Sequence, residues 1–411
     1  MSASRSSWHE ATSRLRSGAW LTPERMRGYC LILLVIGLAG FAVWIAMSDG
    51  LVDRNNKPIG TDFSNPYAAG VLVLEGRAAD AYDPALLHAA EKAVFGGRDV
   101  PFFGWHYPPF FFAIAALVAL LPYAGGLLLW LGTSLAGYLA VIHAIVPRRE
   151  TWLAALAFPG VLITIGHGQN AFFTAALLGG AMLVLNSRPI LAGVLIGLLV
   201  YKPQFGLLIP LALLAGGYWV TIAAAAATVL ALIAASTLVF GVDIWLAFYG
   251  STKFTQTVVL EQGTTGWEKI QSMFSAARMW GAGVPTAYLL QGLLTVTVAI
   301  GLIWLWRSRS AFDFKAAALA TACLLATPYV LDYDLMVLSV AIAFLVRQGL
   351  ARGFGDYEVT LLAAAWLVPL LTRSIAGTTG LPLGLIVTAV LFAATLRRAW
   401  QDLAVPQHAV A

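Results

Sequence analysis

The chain has 411 residues, of which 60% are hydrophobic and 11% charged, with a mean hydropathy of +0.80. Soluble domains carry about a quarter charged residues, so polar surface is too scarce here for a water-soluble globule and we expect lipid to cover much of the chain. The net charge of +5 comes from scattered Lys and Arg rather than one basic stripe, which argues against nucleic acid as a partner. Cys30 and Cys323 lie far apart in apolar runs, which predicts two buried thiols and no metal site.

The N-terminal region combines positive charge with a long apolar run. Residues 1–28 contain several arginines, and residues 29–47 that follow are apolar. This run is longer than the roughly 7–15 residues of a signal-peptide core. We therefore expect an uncleaved first transmembrane helix whose preceding segment, 1–28, lies on the cytoplasmic side.

Residues 48–124 are predicted to form a long first outer loop. Within it, Asp83 followed by proline predicts a capped interfacial helix with Leu86, Ala90 and Val94 facing lipid. Residues 107–121 are apolar but too short to cross a bilayer, and counting them as a span would place later basic loops on the wrong side. They are expected to form a juxtamembrane or re-entrant helix.

After this loop, the Lys/Arg content of successive turns alternates, which predicts an all-α, polytopic membrane protein of about twelve transmembrane helices. A single domain is expected over 29–400, with a cytoplasmic tail at 401–411 and the whole chain in the cell inner membrane. Several spans are shorter than the roughly 20 residues of a full crossing, which predicts a water-accessible cavity near the outer face. The remaining spans are predicted at 125–146, 151–165, 171–186, 190–201, 204–216, 218–240, 284–306, 316–330, 335–346, 358–372 and 381–396.

Asp62 is the strongest candidate for chemistry. It follows the first helix and precedes aromatic and proline residues rather than a helical pattern. A carboxylate at the rim of a low-dielectric cavity is suited to act as a general base, because burial raises its pKa toward the working range. The alternative is a turn or capping role.

Other polar residues stand in apolar surroundings, and the predicted threading brings all of them to the outer side, where ionisable groups are functional candidates. Lys202 is suited to pair with a phosphate, or else to extend toward the membrane interface. Interhelical hydrogen bonding is the alternative for His167 and Gln169. The two late carboxylates are two residues apart, so they are not expected to share one helix face. The full set is His106, His167, Gln169, Asn170, Lys202, Asp332 and Asp334.

Four short motifs, in this order, resemble glycosyltransferase family 87, a member of the GT-C superfamily that includes polyprenyl-phosphate-mannose-dependent α-mannosyltransferases. The motifs are the stretches 62–67, 106–109, 166–170 and 197–203. The resemblance implies a GT-C-like fold and transfer of a hexose from a polyprenyl-phosphate-linked donor to an envelope lipid or glycan acceptor on the periplasmic side. The lipid-phosphate sugar is then a substrate, and no cofactor is expected.

The resemblance also implies residue roles. Asp62 would deprotonate the acceptor hydroxyl, and Lys202 with His167 or Gln169 would hold the donor phosphate. His106, Tyr107, Asn170, Asp332 and Asp334 complete the implied substrate-binding set.

In one motif the chain departs from the family, because Leu331-Asp332-Tyr333-Asp334 stands where members often carry Trp-Asp-His-His. The role of a histidine at this place is then lost, changed or taken over by His106, Tyr333 or Asp334. A transporter or flippase of lipid-linked sugar is the alternative function, although no internal repeat supports it. A non-catalytic membrane scaffold is a third.

Overall fold

The computed structural model describes residues 2–404, and within them the chain is entirely helical, with 19 α-helices and no β-strand. The helices are joined by short 3-10 turns and one π-helical segment, Thr255–Glu261. Helices α1 to α6 are Ser2–Ser17, Pro23–Ala46, Ser64–Leu74, Pro84–Val94, Phe112–Ala119 and Tyr123–Ile145. Helices α7 to α13 are Arg149–Leu156, Pro159–His167, Ala171–Val184, Pro189–Leu198, Ile209–Gly216, Trp219–Phe240 and Asp243–Phe254. Helices α14 to α19 are Met273–Met279, Val284–Arg307, Phe312–Leu325, Leu338–Arg352, Glu358–Thr379 and Leu383–Ala404.

Seven helices are long and apolar enough to cross a membrane, so this is an all-helical membrane protein. Few residues of helix α2 and helix α12 are buried, which is expected where lipid is the solvent. The other candidate spans are α6, α15, α18, α19 and α17 with its preceding 3-10 turn from Asp332. The predicted number of twelve transmembrane helices stays a prediction, because several of the predicted crossings are shorter than these seven helices.

Several predicted spans are built from short pieces. The predicted span 151–165 consists of α7 and α8, which Pro159 separates because proline lacks the backbone N–H that a continuous helix needs. Likewise, α10 ends in a 3-10 turn before Lys202, and α11 begins only at Ile209. Residues Pro109–Ala119 form one short apolar helix of the kind expected for a segment that does not span.

The ends of the helices fall into two groups that agree with the predicted threading. On one side, the ion pairs Arg27–Glu150, Arg16–Asp356 and Arg347–Asp313 join turns predicted to be inside. On the other side, Ile270 and Leu331 form an antiparallel β-bridge between segments predicted to be outside. These contacts agree with the predicted grouping of the turns, and both the alternation of all the helices and the assignment of the two sides to cytoplasm and periplasm stay predictions. The predicted tail, 401–411, lies partly outside the described residues.

The first outer loop folds into a compact cap of its own. Asp83 accepts hydrogen bonds from the backbone N–H groups of Ala85 and Leu86, which is the predicted helix cap. The expectation of a lipid-facing stripe on α4 was wrong in part. Leu86 is exposed, but Ala90 and Val94 pack against an aromatic-rich cluster to which the loop, α6 and α13 contribute. This part of α4 is therefore covered by protein, because the loop packs onto neighbouring helices.

Helices α16 and α17 form the centre of the protein. Nearly every residue of α16 from Phe314 onward is buried, and most of α17 is buried as well. Cys323 lies in this core, and both cysteines are buried free thiols, as predicted. A fully buried helix leaves no room for unpaired polar groups, so the polar residues at its outer end must have partners within the protein.

Candidate functional site

An open groove of about 490 Å³ runs between α2, α8 and α18 and ends among polar side chains. Its walls are mostly apolar, with Gly37, Gly40, Phe41 and Trp44 contributed by α2. Helix α2 is otherwise exposed, so the groove opens toward the region that lipid occupies. The polar residues that line it are Thr61, His167, Asp332, Arg373 and Ser374. The groove lies at the end of the predicted span 151–165, and its position at the outer face stays a prediction.

Asp62 lies beside the polar end of this groove, in the 3-10 turn Thr61–Phe63. The expectation that no helical pattern follows it was wrong, because the turn leads directly into α3. Gln169 Nε2 donates a hydrogen bond of 2.7 Å to Asp62 Oδ2. On the other oxygen, Oδ1, only the Thr61 hydroxyl at 3.4 Å is within hydrogen-bonding distance among the described residues. Asp62 is half-buried, so one carboxylate oxygen is fixed and the second is left for a ligand.

Two glycines allow the turn that carries Asp62 to approach the end of α8. Gly168 has φ of +63°, and a Cβ there would lie 2.7 Å from Phe63 Cβ and 3.0 Å from the Gly60 carbonyl oxygen. Gly60 also has a left-handed backbone, with φ of +69°. Only glycine meets both requirements without strain. The stretch 166–170 therefore places His167 and Gln169 directly against the Asp62 turn.

His167 connects this turn to the late acidic motif. Its Nδ1 lies 3.1 Å from the Thr61 hydroxyl, and its ring lies edge-on to Tyr333, with centroids 6.0 Å apart. Asp332 lines the groove beside His167. Three segments that are remote in sequence thus meet at one point, which makes this the best-formed polar site in the described part of the chain.

Asn170 and Tyr107 extend the network on the side away from the groove. Asn170 Nδ2 donates to the Tyr107 hydroxyl at 2.7 Å. The Tyr107 ring stacks on Phe111, which stacks in turn on Tyr201. These aromatic rings form a rigid wall beside Asp62 and Gln169.

Lys202 and Asp334 form a sealed pair. The Lys202 ammonium donates to Asp334 Oδ1 at 2.6 Å, and the two side chains are 6% and 1% exposed. Asp334 Oδ2 accepts from the Leu331 backbone N–H, and the ammonium lies over the Tyr333 ring. Extension of Lys202 toward the membrane interface, the alternative weighed above, was therefore wrong, because a buried ammonium needs a nearby counter-charge.

Asp332 faces away from this pair, as expected for carboxylates two residues apart. Its Oδ2 lies 3.8 Å from a guanidinium nitrogen of Arg373, which is 44% exposed and lines the groove. Lys269 adds positive charge at the same end. Burial lowers the pKa of Lys269, Arg373 lowers it further, and Asp62 and Asp332 oppose both effects. The polar end of the groove is therefore lined by one cation, Arg373, and one carboxylate, Asp332, while Lys269 and Asp62 lie near by but outside the lining.

His106 lies in the loop before the 3-10 turn Pro109–Phe111. Its Nδ1 is 2.7 Å from the Thr255 hydroxyl at the start of the π-helical segment. Burial lowers the pKa of His106 to about 4, although the Asp62 carboxylate acts in the opposite direction. The imidazole is therefore neutral at physiological pH, and it can donate or accept one hydrogen bond without carrying charge.

The structure thus brings all the predicted residues to one end of the helices, but it divides them. Lys202 and Asp334 do not line the groove, whereas Asp332 does.

Arg373 and Lys269 were not predicted from the sequence. A signal for Arg373 is present, since it is a charged residue in an apolar span at an end predicted to be outside, against the positive-inside pattern. Lys269 belongs to no recognisable motif. Among residues 2–404, no three His, Cys, Asp or Glu side chains converge as a metal site would require.

Comparison with known proteins gives one family. The model of glycosyltransferase family 87 matches residues 105–328, which is more than half of the chain. The matched range includes His106, Tyr107, His167, Gln169, Asn170 and Lys202, and it excludes Asp62, Asp332 and Asp334. No curated protein and no solved structure matches the chain.

Proposed function

The chain belongs to glycosyltransferase family 87, and from that premise we propose that it transfers a mannose-like hexose from a polyprenyl-phosphate donor to an envelope lipid or glycan on the periplasmic side. The observation that carries the proposal is the groove that opens beside helix α2 and ends at Arg373, His167 and Asp332, beside Asp62. An apolar channel that ends in cationic and polar groups has the composition that a lipid-phosphate substrate needs.

The donor fits this groove in one orientation. Its polyprenyl chain lies along the apolar wall of α2, and its phosphate lies at Arg373 with Lys269 nearby. Arg373 is suited to this role because guanidinium matches a phosphate with two parallel hydrogen bonds and its pairing with Asp332 is loose at 3.8 Å. Lys202 is assigned a structural role instead, since its charge is already paired with Asp334.

The reaction is an inverting displacement at the anomeric carbon. Asp62 Oδ1 accepts the proton of the acceptor hydroxyl while Gln169 holds Oδ2 in place. The hydroxyl oxygen forms the new bond to the anomeric carbon, and the bond from that carbon to the phosphate oxygen breaks. The polyprenyl phosphate leaves with the electron pair, and Arg373 stabilises the added negative charge.

Transfer in membranes tests this proposal. Membranes that contain the protein would receive a labelled polyprenyl-phospho-hexose and an envelope lipid fraction. We expect Asp62→Asn to lower the transfer rate by about 10²- to 10⁴-fold, as loss of a general base does. Asp99→Asn is the matched control, because Asp99 lies in the same loop but is exposed and pairs only with Lys92 at the surface. Transfer by Asp62→Asn at the wild-type rate would remove the base assignment.

Reporter fusions test the orientation. A reporter after residue 100 is expected on the periplasmic side of the membrane. Reporters after residues 149 and 188 are expected on the cytoplasmic side. A reporter at 149 that reads outside would mean that residues 107–122 cross the bilayer and that Asp62 and Lys202 do not share the predicted side.

A further inference from the structure

A second carboxyl group, Glu91, lies in the outer loop close to Asp62 and away from the groove. Its side chain is completely buried on α4, between the segment that carries Asp62 and the segment that carries His106. A carboxyl group at such a depth is rare unless it is paired or neutral. No cation pairs with Glu91 among the described residues, so the charged form has nothing to balance it.

Glu91 joins the two segments through its two oxygens. Oε1 lies 3.0 Å from the hydroxyl of Ser64, the first residue of α3, directly after the turn that holds Asp62. Oε2 accepts a hydrogen bond of 3.1 Å from the backbone N–H of Phe103, three residues before His106. One side chain therefore ties both sides of the candidate catalytic site together.

The position of the proton follows from the neighbours of Ser64. The Ser64 hydroxyl also lies 2.9 Å from the carbonyl oxygen of Thr61, which can only accept. A hydroxyl has one proton, so when Ser64 donates it to Thr61, the contact with Glu91 needs a proton on the carboxyl group. Neutral Glu91 then donates to Ser64 and accepts from Phe103, and each of these three polar groups has a hydrogen-bond partner.

The electrostatic surroundings favour the same state. Burial is the main cause that raises the pKa of Glu91 to about 8; the hydrogen bonds from Phe103 and Ser64 act in the opposite direction, and the negative charge of Asp62 acts with burial. Of the other titratable groups that face it, Tyr123 on α6 donates its hydroxyl proton to the Ile59 carbonyl oxygen. His88, one turn earlier on α4, is bonded through Nε2 to the Val100 carbonyl oxygen. Neither Tyr123 nor His88 forms an ion pair with Glu91 in the described part of the chain.

We propose that Glu91 is a positioning residue that, as a neutral carboxylic acid, holds the Asp62 turn against the His106 segment through Ser64 and Phe103. Ionisation of Glu91 above neutral pH removes the proton that Glu91 donates to Ser64. It also places a second negative charge near Asp62. The Ser64 hydroxyl must then turn from Thr61 to the carboxylate, which loosens the turn that presents Asp62. This inference rests on the proposed transferase function.

The experiment is the pH profile of transfer, at pH values on both sides of 8. Wild-type transfer is expected to fall as pH rises through the pKa of Glu91. Glu91→Gln imitates the neutral acid, since its amide donates to Ser64 and accepts from Phe103. This variant should keep the wild-type rate at neutral pH and lose that alkaline decline. Glu91→Ala should lose about tenfold to a hundredfold in rate, since it leaves both segments unheld.

Glu75→Gln, an exposed carboxylate in the same loop, is the control and should keep the wild-type profile. An unchanged alkaline decline in Glu91→Gln, or wild-type activity in Glu91→Ala, would overturn the proposal. If Glu91→Ala does not fold, the pH profile of Glu91→Gln still tests the proposal.

A second measurement needs no substrate. The infrared band of a protonated carboxyl group should appear in the difference between wild type and Glu91→Gln below pH 8 and vanish above it. Absence of that band at neutral pH would overturn the neutral-acid role. Absence of transfer by the wild type, with the band present, would instead count against the donor proposed for the enzyme.

Discussion

Two groups of charged residues lie at the same end of the helices, and they differ in access. Lys202 and Asp334 are buried and joined at 2.6 Å. Arg373 and Asp332 stand at the end of an open groove, 3.8 Å apart, with the arginine 44% exposed. Both pairs connect a cation to the same short turn, Asp332–Val337, yet only the second can meet a ligand without first losing a partner.

This difference in access indicates that the buried pair stabilises the fold and that the accessible pair is free to bind a ligand. A buried charge pair gains little stability over an apolar replacement, but breaking it is costly because one charge is left without a partner. A loosely paired cation beside a groove loses little when it exchanges its partner for a phosphate. The chain therefore uses one pair to anchor the acidic motif and keeps the other available.

The largest expected effect is on the sealed pair. Lys202→Met should lower the free energy of unfolding by about 3–5 kcal/mol, because Asp334 is left buried and charged. The double variant Lys202→Met with Asp334→Asn should recover most of this loss, since the amide still accepts from the Leu331 N–H. Thermal unfolding in detergent measures both. A Lys202→Met protein that has wild-type stability but no transfer activity would contradict the structural role of Lys202. It would indicate instead that Lys202 binds the donor phosphate.

The next effect is on the open pair. Arg373→Gln should weaken donor use about tenfold to a hundredfold, because a charge-assisted hydrogen bond contributes about 1.5–3 kcal/mol. The loss should appear with little change in thermal stability. Arg352→Gln, an exposed arginine that pairs with Asp402 at the opposite end, is the control. A large loss of stability in Arg373→Gln would show that this pair too is structural.

The smallest effect concerns the apolar wall of the groove. Gly40 lines the groove, and a Cβ there would meet nothing within 4 Å, so phenylalanine fits by entering the open space. Gly40→Phe should raise the donor KM by about three- to tenfold, since it displaces a few carbon atoms of the lipid chain. Gly28→Phe is the matched control on the same helix, because it has equal space outside the groove. Equal donor KM values for the two variants would place the lipid chain elsewhere.

Much of the fold and part of the site were predictable from sequence. The composition and the apolar runs predicted an all-helical membrane protein, and the Asp83 cap and the shortness of 107–121 followed from local rules. The alternation of basic turns predicted which helix ends share a side, and so which polar residues meet. These features depend on residues that are neighbours in the chain, where spacing and charge act directly on backbone and bilayer.

Tertiary structure alone decided which of those residues are partners. Gln169 holds Asp62 across more than a hundred residues, Lys202 is paired with Asp334, and Arg373 faces the groove. The groove itself exists because α2 stands apart from α18, and Glu91 is buried because the loop folds over it. Such pairings depend on how helices pack in three dimensions, and no periodicity or motif along the chain encodes those distances.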